Sequence, residues 1–313
     1  MSPPILTPSM DETEQIPFHE ALYPAIDPAQ YPKDFFQGKV ILITGSGRGT
    51  GRALGLAFCS LSASVVFTDL TQEDANSAAE EARSLYPQAR VTSIAADVRD
   101  YNLLQKLHQH TLDTLGEVDV LINNAGWGDF LTFDISKSED TTSSDGQTET
   151  GVIICTTTTG AVDNYPFCIP YMIAKTGQAK LMHCLQLEVE NDTEIQCFHI
   201  HPGCPKTKMG DPDYAMRPYV GELRPNLKKW VYGYLPSLNE DMDLAVWSMV
   251  FLASGKAAPL KGRYLNANHD IGEVLKRAKL VKDNNLYILK ADTFQVVKEK
   301  PQQADFYRTN KHL

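Results

Sequence analysis

Tyr171 and Lys175 are the side chains of this sequence best suited to moving a proton. They stand four residues apart, and side chains at i and i+4 share one face of a helix. A free tyrosine has a pKa of about 10 and is a poor base at neutral pH. An ammonium close by favours the phenolate and lowers that value toward the working range. The spacing therefore predicts a phenol made usable by its neighbour, on the long helix that the apolar pattern of residues 173–190 indicates.

A second group of residues suits phosphate. Thr44-Gly45-Ser46-Gly47-Arg48-Gly49-Thr50-Gly51 lies between an apolar strand (39–44) and a helical pattern (52–60). A pyrophosphate docks on the unpaired N–H groups of a helix N-terminus, where the helix dipole also favours negative charge. Glycine is needed where backbone and ligand approach closely, so Gly45, Gly49 and Gly51 are candidate contacts. Asp69 ends the next strand, about 20 residues on, where an acid can accept hydrogen bonds from ribose hydroxyls. Its charge repels a 2′-phosphate and favours NAD. Arg48 pulls toward NADP, because it can neutralise that phosphate, but Asp69 weighs more heavily.

The elements that must position these groups follow from alternation. Strands are predicted at 39–44, 64–68, 91–95 and 118–122, with helices at 52–60, 73–85 and 101–115 between them. That alternation indicates βαβ units and an α/β doubly wound parallel sheet of Rossmann type, in a single domain with N- and C-terminal extensions. Beyond a polar, Ser/Thr/Asp-rich loop (136–150), the pattern gives a strand at 152–155, the helix at 173–190 and a strand at 195–200. An irregular excursion with five prolines (204–237), an amphipathic helix (238–254) and a closing strand (262–267) complete it. Residues 1–37 read as a proline-bearing irregular arm, 38–268 as the catalytic and dinucleotide-binding body, and 269–313 as an extension.

Composition excludes several classes. The formal charge of −10 over 313 residues opposes a nucleic-acid partner, since phosphate backbones are held by Lys and Arg. No apolar run approaches the length of a bilayer span, and residues 1–37 lack the pattern of a signal or transit peptide. Six cysteines are scattered singly, which points to a reducing, cytoplasmic setting. His199 and His201 share a strand face, with Cys204 three residues on, but no third and fourth ligand is evident, so no metal is expected.

The motifs together resemble the classical short-chain dehydrogenase/reductase family over about residues 38–268. The glycine spacing, Asn123-Asn124-Ala125-Gly126, Tyr171-x3-Lys175 and Pro202-Gly203 followed by Thr207 occur in the family's order. Phe251 to Ser254 and Gly262 to Leu265 resemble its last helix and strand. The resemblance implies an adenine contact at Asp97 and Val98, a cofactor cleft lined by Asn123 and Asn124, and a nicotinamide contact at Pro202, Gly203 and Thr207. It implies that Tyr171 exchanges a proton with an alcohol or ketone during hydride transfer, while Lys175 also holds the nicotinamide ribose. The family's serine, counted back from Gly160, falls on Thr157, with Thr158 as runner-up; a threonine hydroxyl offers the same donor and acceptor.

The sequence departs from the family between Gly126 and Thr157, where the polar segment is short by about 18 residues, the equivalent of a ~27 Å helix. No asparagine occurs there to match the family's proton-relay residue. The missing helix ordinarily contributes to the dimer, so a homo-oligomer is less readily expected, and one face of the 173–190 helix needs cover from the N-terminal arm or another subunit. Two functions remain open: an NAD(P)-dependent oxidoreductase, and a dinucleotide-binding protein with impaired catalysis that acts as a structural or regulatory partner. A methyltransferase on a similar sheet would not need Tyr171 and Lys175. The aromatic residues of 204–237 point to an apolar substrate, and the resemblance is compatible with secondary metabolism.

Overall fold

The computed structural model describes residues 15–126, 150–163, 168–190, 194–216 and 218–289. Strand β1 (Val40–Thr44) is buried at every position, as is β2 (Ser64–Asp69). Both faces of such strands are covered, which is why their sequence is continuously apolar. With β3 (Val91–Ala95), β4 (Val120–Asn123), β5 (Thr150–Thr156), β6 (Glu194–His201) and β7 (Tyr264–Asn266) they form one seven-stranded sheet in the order β3-β2-β1-β4-β5-β6-β7. Every neighbouring pair is parallel. The chain steps outward from β1 to β3, returns to β4 and then proceeds the other way. The strand ends at β1 and β4 therefore diverge, the place where open α/β sheets bind ligands.

Helices α1 (Gly49–Ser60), α2 (Gln72–Leu85) and α8 (Met242–Ala253) follow the glycine turn, β2 and the excursion. Helices α3 (Tyr101–Thr114) and α4 (Ile169–Val189) precede β4 and β6. Ile41, Ile43, Val65 and Phe67 join residues of α1 and α8 in the main core. Leu42 and Val66, which alternate with them, pack with Leu107 of α3, and Cys155 and Cys197 pack with Met182 of α4. The doubly wound α/β sheet of Rossmann type predicted from the pattern is thus the observed architecture.

Several boundaries differ from the sequence reading. Helix α1 begins at Gly49, inside the glycine turn, and α4 begins at Ile169, so Tyr171 sits in its first turn. The 204–237 excursion contains helices α5 (Pro212–Ala215), α6 (Pro218–Leu223) and α7 (Pro225–Tyr234), where an irregular stretch was expected. The reason is positional: these helices start on proline, whose missing N–H is not needed in the first turn. Together α5–α7 bury a small core of Ala215, Met216, Val220, Leu227, Val231 and Leu235.

Helix α8 is buried nearly all round, whereas an amphipathic helix was expected. The arm provides the cover. Ile26 is fully buried in the main core, and the Tyr31 ring stacks on Trp247 of α8 at 6.1 Å. Tyr23 donates to the carbonyl of His269 at 3.0 Å and accepts from the amide of Ile271, the first residue of α9 (Ile271–Lys276). Helix α10 (Ala278–Asp283) follows. Residues 15–37 therefore lie on the α8 side of the sheet, and Ile169, Ile173, Leu181 and Leu187 of α4 are exposed. The shortened segment and its missing asparagine fall within 127–149, outside the described residues, as do 1–14 and 290–313.

Gly55 tests the packing of α1 on β2. A Cβ there would lie 2.3 Å from Cε1 of Phe67, a fully buried ring. Alanine in a helix interior ordinarily gains about 1 kcal/mol over glycine, but overpacking a dense core costs about 1–3 kcal/mol. Gly55→Ala is therefore expected to lower stability by up to about 2 kcal/mol in urea unfolding; a stabilised variant would contradict the packing described.

Candidate active site

The glycine turn is clamped from two sides. The Asn124 side-chain amide donates to the carbonyls of Thr44 and Gly45, each at 3.0 Å. The amides of Asn124 and Ala125 donate in return to Thr44 Oγ1 at 3.1 and 3.0 Å. A Cβ on Gly45, where φ is +64°, would approach Ala125 Cα to 2.9 Å, and one on Gly51 would lie 2.3 Å from Gly45 O. On the other side, Ser46 Oγ accepts from the Thr68 amide at 2.8 Å. Gly49 differs: its φ is +54°, and a Cβ there would meet only Thr207, at 3.7 Å. Helix α1 has no side-chain cap, so the N–H groups of its first turn are open to a ligand. This cradle fits a pyrophosphate.

Asp69 is 8% exposed and already engaged, accepting from the amides of Gly47 and Leu70 at 2.9 Å each. A carboxylate has about four lone-pair sites, which leaves capacity for ribose hydroxyls. Arg48 turns away from Asp69 and donates to the Tyr214 hydroxyl at 3.3 Å. Asp97 pairs with Arg99 at 2.6 Å, and those hydrogen bonds bring its carboxyl down to about 2. Val98 beside it is exposed. Asn123 points along the sheet, its side-chain amide reaching Cys155 Sγ at 3.6 Å, whereas a place on the cleft wall was expected. That strand-interior direction follows from the alternation of side chains.

Across the cleft, Gly203 packs against Glu240, which accepts from the Cys204 amide at 2.6 Å and so fixes the turn after Pro202. Thr207 begins the next short turn opposite Gly49.

Lys175 is 7% exposed and donates to the carbonyl of Thr156 at 2.7 Å. Its Nζ lies 5.9 Å from the centre of the Tyr171 ring and near Gly126. The expected lowering of the phenol pKa is not what this arrangement produces. Burial raises the Tyr171 pKa, the hydrogen bond with Thr158 offsets only part of that, and Cys204 and Cys168 add to the rise. Burial likewise lowers the Lys175 pKa. The ammonium is committed to a backbone carbonyl, and desolvation outweighs an attraction acting across that distance.

The hydroxyl beside the phenol belongs to Thr158. Thr157, the position counted from Gly160, is buried with its hydroxyl turned to the carbonyl of Lys175 at 3.4 Å. Consecutive side chains of an extended chain face opposite ways, so an offset of one residue exchanges them. The sequence reading also missed Tyr264, whose hydroxyl donates to the Thr158 carbonyl at 3.4 Å, and Glu240, and it gave Tyr214 only as one of the aromatic residues of 204–237. Register gives part of this: Cys155 pairs with His199, and His199 with Tyr264, in one row across the sheet.

The comparisons agree with this geometry. Residues 39–145 match the family model described as short chain dehydrogenase. The chain is 26% identical over 306 residues to the short chain dehydrogenase pigC of Monascus ruber, covering 88% of this chain and 94% of that one. A short chain dehydrogenase of Pseudocercospora fijiensis is 24% identical over 289 residues, covering 84% and 91%. Levodione reductase, a solved structure, superposes with a TM-score of 0.61 at 20% identity over 74% of this chain and 97% of that one, a likeness of fold. The chain is thus similar over most of its length to short-chain dehydrogenases, which are oxidoreductases, and the family model itself matches its first four strands. Among the described residues no helix is long and apolar enough to cross a membrane, and no group of three or more His, Cys, Asp or Glu is placed to hold a metal.

His199 and His201 carry a testable consequence. Burial, with His183 and His269 as respective neighbours, lowers their pKa values to about 3 and about 4. The unfolded chain binds those protons below a pKa of about 6.5, so stability is full above that value and declines as pH falls toward the folded values. From pH 7 to pH 5 each histidine is expected to cost about 2 kcal/mol. Urea midpoints should show the decline, and His199→Gln should remove close to half of it; an equal decline in that variant would contradict the assignment.

Proposed function

We propose that the chain interconverts an alcohol and a ketone with a nicotinamide dinucleotide, Tyr171 exchanging the proton. The carrying observation is a buried Lys175 ammonium 5.9 Å from the Tyr171 ring, with Thr158 acting on the phenol, at the sheet end that also bears the glycine cradle. The dinucleotide, when bound, supplies or accepts the hydride. The residues suited to hold it are the first-turn amides of α1 beginning at Gly49, Asp69 at the adenosine ribose, Asp97 and Val98 beside the adenine, Asn124 behind the glycine turn, and Pro202, Gly203 and Thr207 opposite. Lys175 is the candidate for the nicotinamide ribose. Asp69 supports NAD over NADP, because a buried carboxylate repels a 2′-phosphate.

Thr158 takes the place next to the substrate oxygen that counting from Gly160 gives to Thr157. Its hydroxyl holds the oxygen by hydrogen bonding while Tyr171 gives up its proton in reduction or takes one in oxidation. A raised pKa keeps the phenol protonated at neutral pH, so the residues are set as a proton donor, and reduction is the favoured direction there. Residues α5–α7 pack their core against Cys168, close to Tyr171, and supply an apolar wall suited to an apolar substrate. The reading without catalysis draws on one observation, the ammonium's bond to Thr156.

The test is absorbance at the reduced-nicotinamide band with a panel of apolar ketones. General acid catalysis contributes about 10²–10⁴-fold, and Tyr171→Phe should lose activity on that scale. Thr158→Val should lose about tenfold or more and Thr157→Val much less, with hydrogen bonding to a developing charge as the difference. Reduction should hold through neutral pH and fall in the alkaline range as the phenol ionises, with oxidation rising there. Turnover that survives Tyr171→Phe sinks the proposed role, and dinucleotide binding without turnover in the parent favours the non-catalytic reading.

A further inference from the structure

Arg48 has two possible destinations. It is exposed, it precedes the first residue of α1, and its backbone adjoins Gly47, whose amide donates to Asp69 at 2.9 Å. An arginine rooted one residue from that contact is long enough to stand beside Asp69, where the adenosine ribose falls in the reading proposed above. There its guanidinium would neutralise the carboxylate and pair with a 2′-phosphate, a contact for which arginine's fork of donors is well matched.

The structure sends it the other way. The Arg48 guanidinium donates to the Tyr214 hydroxyl at 3.3 Å, and its central carbon is 5.9 Å from the centre of the same ring. Tyr214 lies in α5, 166 positions along the chain, and Asp211 caps that helix by accepting from the amide of Asp213. Lys208 approaches the same ring at 4.8 Å. One phenol ring therefore collects Arg48 from the glycine turn and Lys208 from the segment that faces Gly49 across the cleft, where Thr207 is the near neighbour. A cation over an aromatic face is attracted by the ring quadrupole even at an exposed site, though modestly.

We infer that Tyr214 is a positioning residue for cofactor choice: by holding Arg48 on the α5 side, it leaves Asp69 uncompensated and so favours a dinucleotide with a free 2′-hydroxyl over one with a 2′-phosphate. The inference rests on the dinucleotide reading of the site and adds what sets its preference. Arg48 is a selector for 2′-phosphate that Tyr214 keeps disengaged.

Binding of NADH and NADPH, followed by their fluorescence, tests this in the parent, Tyr214→Ala, Tyr214→Phe, Arg48→Ala and the Tyr214→Ala/Arg48→Ala pair. Tyr214→Ala should shift the affinity ratio toward NADPH about fivefold, which is about 1 kcal/mol at 1.4 kcal/mol per tenfold. Tyr214→Phe keeps the ring and loses the hydroxyl, so it should shift the ratio by a smaller factor in the same direction. The double variant should lose the gain, because the arginine that delivers it is gone; a merely structural role for Tyr214 would not be reversed that way. An unchanged ratio in Tyr214→Ala and Tyr214→Phe, or a gain that persists in the double variant, overturns the inference alone. A parent that binds neither dinucleotide overturns the reading of the site and this inference with it.

Discussion

Holding an ammonium out of water at the end of a parallel sheet is the constraint around which the site is arranged. An isolated buried charge is costly unless it is hydrogen-bonded, and Lys175 answers that cost with the carbonyl of Thr156 at 2.7 Å. The carbonyl is free for this because β5 ends at Thr156, where its ladder with β6 closes at the Thr156–Ile200 pair. The same geometry places Thr157 against the backbone of Lys175 and Thr158 against the phenol. The lysine, two threonines and the tyrosine are thus a consequence of where one strand stops and one helix starts.

The other half of the site depends on strand order. Because β1 and β4 are neighbours although three elements of helix and two strands separate them in sequence, Thr44 and Asn124 meet across the diverging ends. Their mutual hydrogen bonds hold Gly45 in place while Gly49 stays open. Desolvation then shifts both titratable groups toward their neutral forms, the phenol upward and the ammonium downward. Before a ligand arrives, the pair is a phenol and an ammonium, each with its charged form disfavoured by burial. A bound ligand that offers acceptors to Lys175 would strengthen the ammonium.

Much of this was legible in the sequence. The four apolar strands, the glycine turn and the alternation of elements specify a doubly wound sheet because each is a local signal read by hydrophobic pattern. Tyr171, Lys175, Asp69 and the glycines were legible as chemistry. The choice between Thr157 and Thr158 was not, since one residue of register reverses a side chain, and counting from Gly160 does not fix which way β5 leaves the sheet. The helices of 204–237 were hidden because proline was weighed as a breaker, although Pro212 and Pro225 stand at helix starts. The Arg48–Tyr214 contact joins residues far apart in sequence, and no periodicity encodes it. The pKa directions depend on burial, which the sequence does not state.

The central claim, that the buried Lys175 ammonium is kept for a ligand rather than for the fold, is most directly tested by Lys175→Met. Methionine preserves much of the apolar stem and removes the charge. Removing a desolvated charge relieves its burial cost, which offsets the loss of one hydrogen bond to the Thr156 carbonyl. The account predicts a thermal midpoint equal to or above the parent's, together with NADH affinity reduced by about tenfold or more. A variant that is destabilised yet binds NADH as tightly as the parent would contradict it.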